Sequence, residues 1–103
     1  MKYVMTWTTR LLASGQDNEL TSKRGVEMFA KWTPPAGLKF HEFVGRVDAG
    51  GGFAVVETDN LADLLDGTSK FAPFNEFQVY PVVDVSDWIH AAAEGIGFRE
   101  SIT

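Results

Sequence analysis

Residues 38–58, LKFHEFVGRVDAGGGFAVVET, contain two runs of strand-forming residues around a glycine-rich turn. Aromatic and β-branched side chains dominate residues 38–47 and 53–58, and such side chains favour strands. Between the two runs, Asp48 and the glycines of residues 50–52 tolerate the backbone angles of a tight turn. We therefore predict that this stretch forms a hairpin of two antiparallel strands.

One strand and one helix are predicted before the hairpin. Residues 2–9 alternate between two faces with aromatic and β-branched side chains, which is typical of a strand. Asp17 or Asn18 can cap a helix, because its side-chain oxygen accepts a hydrogen bond from a free backbone amide. Pro34 and the proline after it end this helix near residue 32. We expect its buried side to contain four large side chains: Leu20, Met28, Phe29 and Trp32.

A helix, a strand and a short final helix are predicted after the hairpin. Asp59 or Asn60 caps the first of these helices, which carries an apolar stripe. Residues 77–83 form the strand, and Pro81 within it favours an edge position or a bulge. Ser86 can cap the short C-terminal helix, which we expect to reach Glu94. The predicted order is therefore β-α-β-β-α-β, followed by a helix.

The two halves of this predicted order resemble each other. Residues 3–9 align with residues 53–59, and residues 41–43 align with residues 75–77. Equal element order and matching strand segments indicate two β-α-β units packed into one sheet. We predict a ferredoxin-like α+β fold with a four-stranded antiparallel sheet and two helices on one face. At 103 residues the chain has the length of a single domain, spanning residues 1–103.

Large apolar side chains occur on both faces of the predicted strands. Strict alternation places Phe40 and Val44 on one face of the second strand and Phe43 on the other. In the fourth strand, Tyr80 faces away from Phe77. Two helices can cover only one face, and a sheet-sized apolar surface is rarely left in water. We therefore predict a homodimer formed through the open face of the sheet.

Four segments carry a family resemblance: residues 1–7 (MKYVMTW), 29–37 (FAKWTPPAG), 41–45 (HEFVG) and 52–59 (GFAVVETD). They resemble a bacterial family of small uncharacterised domains in the dimeric α/β-barrel superfamily. That superfamily includes antibiotic-biosynthesis monooxygenase domains, stress-responsive barrel proteins and muconolactone-isomerase-like proteins. The resemblance implies a ferredoxin-like fold and a dimeric α/β barrel. It implies no particular catalytic residues, because the matching segments are a helix end, a turn and strand ends.

Composition limits the partners and cofactors of the chain. The net charge of −5 disfavours nucleic acid and anionic membrane surfaces, which bind basic patches. Cysteine is absent, so disulfides and thiolate metal sites are excluded. The two histidines and scattered acids lack metal-ligand spacing, and we expect no metal and no cofactor. With no apolar run of about 20 residues and no leader-like start, we expect a cytoplasmic protein that does not enter membranes.

His41 and Glu57 are the candidate catalytic residues. An imidazole titrates near neutral pH, and alternation places His41 beside Phe43 on a face that would line the barrel. Glu57 ends the third strand, where apolar neighbours such as Trp7 would raise its pKa towards that of a general base. The alternative is that both are ordinary surface or hydrogen-bonded side chains, and we favour it.

Four side chains are candidate ligand-binding residues: Trp7, Met5, Phe43 and Tyr80. Aromatic cavities hold flat organic ligands, although aromatic side chains also simply fill cores and interfaces. Our first hypothesis is a small dimer that binds an apolar or aromatic ligand between its sheets. The alternative is a cofactor-independent monooxygenase- or isomerase-like enzyme that uses the His41 and Glu57 pair. We favour the first, because the sequence contains no recognised catalytic constellation.

Overall fold

The computed structural model describes residues 1–12 and 14–102, and these residues form four strands and three helices. Alternating residues form the strands, and a side-chain cap begins two of the three helices in the described residues. The elements are, in chain order, β1 (Lys2–Thr9), α1 (Gly15–Lys31), β2 (Lys39–Gly45), β3 (Gly51–Glu57), α2 (Leu61–Phe71), β4 (Asn75–Val82) and α3 (Val85–Ser101).

The four strands form one antiparallel sheet in the order β2-β3-β1-β4. This order and the placement of α1 and α2 on one face give the predicted ferredoxin-like α+β fold. β4 is an edge strand, so the missing amide of Pro81 interrupts no inner ladder, as predicted. β2 forms the other edge.

The predicted N-cap residue is the observed one at one helix and differs from the observed one at the other two. Asn60 caps α2, since its Oδ1 accepts from the Ala62 amide at 3.1 Å. At α1 the cap is Ser14, whose Oγ accepts from the Asp17 amide at 3.0 Å, so the prediction of Asp17 or Asn18 was wrong. α3 follows Asp84 directly, without a Ser86 cap.

α3 is longer than the short helix predicted. It continues past Glu94 to Ser101, through Gly95 and Gly97. Three alanines in its middle are strong helix formers, and no proline follows them. They offset the cost of about 1 kcal/mol that each interior glycine imposes.

A bulge in β2 changes which residues share a face. The β2–β3 register pairs Phe40 with Val56 and Glu42 with Val55, so His41 is an extra residue in β2. Phe43 is thereby shifted onto the face of Phe40, and the two rings stack with centroids 4.9 Å apart. The prediction that these two phenylalanines face opposite sides was wrong for this reason.

The core lies between the sheet and the two helices that cover it. Its buried side chains come from β1, β3, α2 and the residue before β2: Tyr3, Ala54, Val56, Leu64 and Leu38. α1 contributes no buried residue, and Leu20 and Phe29 are 59% and 51% exposed. The expectation that these two are buried was wrong. Phe29 contacts Phe43 and Phe71 with its ring, and about half of the residue stays exposed.

α3 projects from the rest of the molecule. The radius of gyration is 18.3 Å, against about 13 Å for a compact chain of this length. The longest dimension is 62 Å, whereas the other two are 32 and 21 Å. None of the helices in residues 1–12 and 14–102 combines the length and apolar character that crossing a membrane requires.

Gly52 allows the closest packing in the sheet. β3 begins at Gly51, earlier than predicted, so Gly52 is a strand residue opposite Trp7 and Gly45. A Cβ atom on Gly52 would lie 2.2 Å from Cζ2 of Trp7 and 2.4 Å from the carbonyl oxygen of Val44. The indole of Trp7 therefore occupies the space that a side chain would need.

We expect Gly52→Ala to lower the free energy of unfolding by about 1–3 kcal/mol, because the added methyl overpacks this contact. Gly45→Ala is the matched control, since no atom lies within 4 Å of a Cβ at that cross-strand neighbour. Urea denaturation measures both variants. Equal stability of the two would contradict the account of Trp7 packing.

Candidate ligand-binding site

Six aromatic side chains form a connected group between the sheet and its helices, which we call the aromatic cluster: Trp7, Phe29, Trp32, Phe40, Phe43 and Phe71. The ring of Trp7 meets Phe43 edge-on at 5.5 Å, and Trp32 meets Phe71 edge-on at 5.4 Å. Phe29 bridges the two sides, at 5.8 Å from Phe43 and 6.1 Å from Phe71. Such edge contacts stabilise aromatic pairs beyond the area that they bury.

The aromatic cluster surrounds a cavity of about 180 Å³. Met5, Leu38, Ala54, Leu64 and Phe77 complete most of its apolar lining. An apolar cavity of about 150 Å³ is large enough to bind benzene in another protein. The cavity therefore has the size and surface to hold a small aromatic molecule.

Asp63 and Asn75 are the polar side chains among the residues that line the cavity. Oγ1 of Thr58, a buried residue, donates a hydrogen bond of 2.8 Å to Oδ2 of Asp63. Gly37 lies so close that a Cβ there would be 2.8 Å from the same oxygen. The carboxylate is thus held in position, and its second oxygen can accept a hydrogen bond.

Trp32 is fixed from outside the cavity. Its Nε1–H donates to Oδ2 of Asp66 at 2.9 Å, and Lys70 donates to Oδ1 of the same carboxylate at 2.7 Å. The hydrogen bonds from Lys70 and Trp32 hold the pKa of Asp66 below its ordinary value. Gly67 permits this approach, because a Cβ there would already lie 3.1 Å from the Trp32 ring.

The predicted ligand-binding residues do not lie together. Met5, Trp7 and Phe43 line the cavity. Tyr80 pairs with Val4, on the opposite face of the sheet from Met5 and Trp7, and its hydroxyl donates to Gln78 at 2.7 Å. Tyr80 therefore lies on the open face, where a site between two sheets would be, and it does not line this cavity. Its role in ligand binding stays a prediction.

The two predicted catalytic residues do contact each other, on the open face of the sheet. Nε2 of His41 lies 2.8 Å from Oε1 of Glu57, and the side chains are 31% and 48% exposed. The hydrogen bond from His41 lowers the pKa of Glu57. We expected a raised pKa next to Trp7, and that was wrong, because Trp7 lies on the other face. Their role in catalysis stays a prediction.

Sequence reasoning missed Asp63 and Asn75 as site residues. Asp63 falls in the first turn of α2, where an acid is ordinarily explained by the helix dipole. Asn75 begins β4 and was noticed only as part of the repeat between residues 41–43 and 75–77. Neither position carries a local signal for a cavity, because the cavity exists only after α2 packs on the sheet.

Comparisons with known proteins identify the family of this chain and solved structures that share its fold. The model of a family described as domain of unknown function (DUF3303) matches residues 1–96. No curated protein matches the sequence. A solved structure from Deinococcus radiodurans, described as a "putative antibiotic biosynthesis monooxygenase", is 10% identical, with a TM-score of 0.46. The match covers 82% of this chain and 94% of that one.

We expect Glu57→Gln to lower the thermal midpoint at about pH 5.5 and to have less effect as the pH falls towards about 3. A lowered folded-state pKa means that ionised Glu57 stabilises the protein above its unfolded-state pKa. That contribution is lost as the pH falls through the folded-state pKa. Glu76→Gln is the control, because this exposed acid on the same face makes no ion pair in the described structure. An effect of Glu57→Gln on the thermal midpoint that does not change with pH would contradict the stabilising role of ionised Glu57.

Proposed function

The chain belongs to the DUF3303 family, described as a domain of unknown function, and we propose that it binds a small, flat aromatic molecule in the cavity between its sheet and helices. One observation carries the proposal: aromatic rings on the sheet, α1 and α2 surround a space of about 180 Å³. Ligand pockets are concave, mostly apolar and carry a few polar groups, as this one does. A bound ring would cover the apolar lining and remove it from water.

The lining favours a ligand of one or two rings with a single hydrogen-bond donor. The stacked pair of Phe40 and Phe43 offers a flat apolar surface. Asp63 supplies an acceptor and Asn75 both an acceptor and a donor, at separate points of the lining. Phenols and indoles have this combination of ring and donor, and they serve as probes.

We also propose a homodimer through the open face of the sheet. That face carries six apolar side chains: Val4, Val44, Phe53, Val55, Tyr80 and Val82. Val44, Phe53 and Tyr80 are each close to half exposed in the structure of residues 1–12 and 14–102. Burial of this surface by a second copy removes apolar area from water, at about 25 cal/mol per Å².

Acid–base catalysis is a second candidate because His41 and Glu57 lie 2.8 Å apart. Both face the open side, away from the aromatic cavity. A substrate of this pair would therefore bind between the two sheets of the proposed dimer. Its binding would depend on Phe53 and Tyr80, whereas a ligand in the cavity depends on Phe43.

For the cavity, we expect Phe43→Leu to weaken binding of indole or phenol about tenfold, because one wall of the site loses its ring. Chemical-shift titration of labelled protein measures the affinity. Phe98→Leu is the matched control, since Phe98 lies on α3 and is 66% exposed. Equal affinity of both variants, or no shift change in the wild type, would contradict the proposed site.

For the dimer, we expect Phe53→Glu to raise the dissociation constant at least a hundredfold, because a charge would be buried in the interface. Light scattering across a dilution series measures the mass. Val47→Glu adds the same charge to an exposed apolar residue in the turn after β2, and should leave the dimer intact. A wild-type monomer at every concentration would refute the dimer.

A further inference from the structure

α3 carries an apolar stripe that the described part of the chain covers little beyond Trp88. Val85, Trp88, Ile89, Ala92 and Ile96 recur at helical spacing and lie on one side. Ile89 and Ile96 are 57% and 50% exposed, and α3 contains no buried residue. The opposite side of the helix carries Ser86, His90, Glu94 and Ser101, with Phe98 as its large apolar residue.

An isolated helix of this length is marginal in water, because helix nucleation is costly. Helices in proteins are stabilised chiefly by packing of an apolar side against a partner. The start of α3 has such a neighbour, since Trp88 borders a small cavity with Met1, Pro81, Val82 and Val83. Beyond Trp88 most residues of the helix are exposed, and the molecule is elongated, with a longest dimension of 62 Å.

The chain exposes more surface than a compact monomer of its mass, and the excess is large enough for one side of a dimer interface. The accessible surface is 7593 Å². A compact monomer of 11.4 kDa exposes about 5,800 Å². The excess of about 1,800 Å² per chain exceeds the roughly 800 Å² that each partner contributes to a standard interface.

We propose that the apolar stripe of α3 packs against a second copy of this chain, and that the two copies exchange their α3 helices reciprocally. This rests on the proposed dimer. α3 follows β4, an edge of the sheet, after only two residues, so it starts at the border of the proposed sheet interface. Reciprocal packing buries both helices in a closed twofold assembly and leaves no free arm to form chains.

The charge of α3 argues against an anionic membrane surface as the alternative occupant. The helix carries Asp87, Glu94 and Glu100 against the single cation Arg99. Helices that lie on anionic membranes instead carry lysine and arginine on their polar side. A second copy needs no such charge, because the stripe itself supplies the contact.

A pair of double variants of the full chain tests the proposal. Ile89→Asp with Ile96→Asp places two charges in the stripe, two helical turns apart. His90→Asp with Gly97→Asp places two at the same spacing on the polar side, where a Cβ on Gly97 meets no atom within 4 Å. His90→Asp also removes the exposed contact of His90 with Glu94, which contributes little to helix stability. By light scattering, we expect at least a hundredfold weaker dimer for the first pair and less than a threefold change for the second. Equal effects of the two pairs would overturn the proposal.

Photocrosslinking identifies which copy α3 contacts. Because the chain has no cysteine, Ile96→Cys gives one labelling site for a benzophenone maleimide. The benzophenone-labelled chain is mixed with ¹⁵N-labelled wild type and irradiated after the two have exchanged subunits. Crosslinks to ¹⁵N peptides support the reciprocal packing of α3. Crosslinks confined to peptides without ¹⁵N overturn it.

The outcomes separate this inference from the proposed dimer. If Phe53→Glu dissociates the dimer and the stripe variant does not, the exchange fails and the sheet interface stands. If the wild type is monomeric at all concentrations, both fail. Circular dichroism of each variant, compared with wild type, checks that a loss of association is not a loss of fold.

Discussion

The bulge at His41 is the constraint on which the candidate site depends. One extra residue in β2 places Phe40 and Phe43 on the same face, where they stack at 4.9 Å. Without it, Phe43 would point to the open face, and the edge contacts of its ring with Trp7 and Phe29 would be lost. The aromatic wall of the cavity therefore results from a local change of register and not from strict alternation.

Because of the same bulge, the two faces of the sheet carry different kinds of side chain. His41 itself meets Glu57 on the open side, while the aromatic rings lie under the helices. A titratable pair and an apolar cavity, each suggestive of function, are thus kept apart by the sheet. Ligand binding would therefore take place inside one chain, under the helices. Acid–base catalysis would take place on the open face, which we propose that a second copy covers.

Local sequence predicted the element order, the cap at Asn60 and the edge position of Pro81, because each depends on neighbouring residues. The bulge at His41 could not be predicted, since no proline or glycine marks it and the pattern of β2 reads as simple alternation. The continuation of α3 through Gly95 and Gly97 was not predicted, because the helix propensity of the three alanines and the opposing cost of the two glycines are of similar size. Asp63 and Asn75 became cavity residues only through the packing of α2 and β4, which no single segment encodes.

Both outer strands of the sheet are interrupted, and this limits how copies of the chain can associate. β2 contains the bulge, and β4 contains Pro81, which lacks an amide hydrogen. Regular outer strands expose rows of backbone donors and acceptors that recruit further strands and start fibrous aggregates. With both rows broken, sideways growth of the sheet by addition of further strands is discouraged.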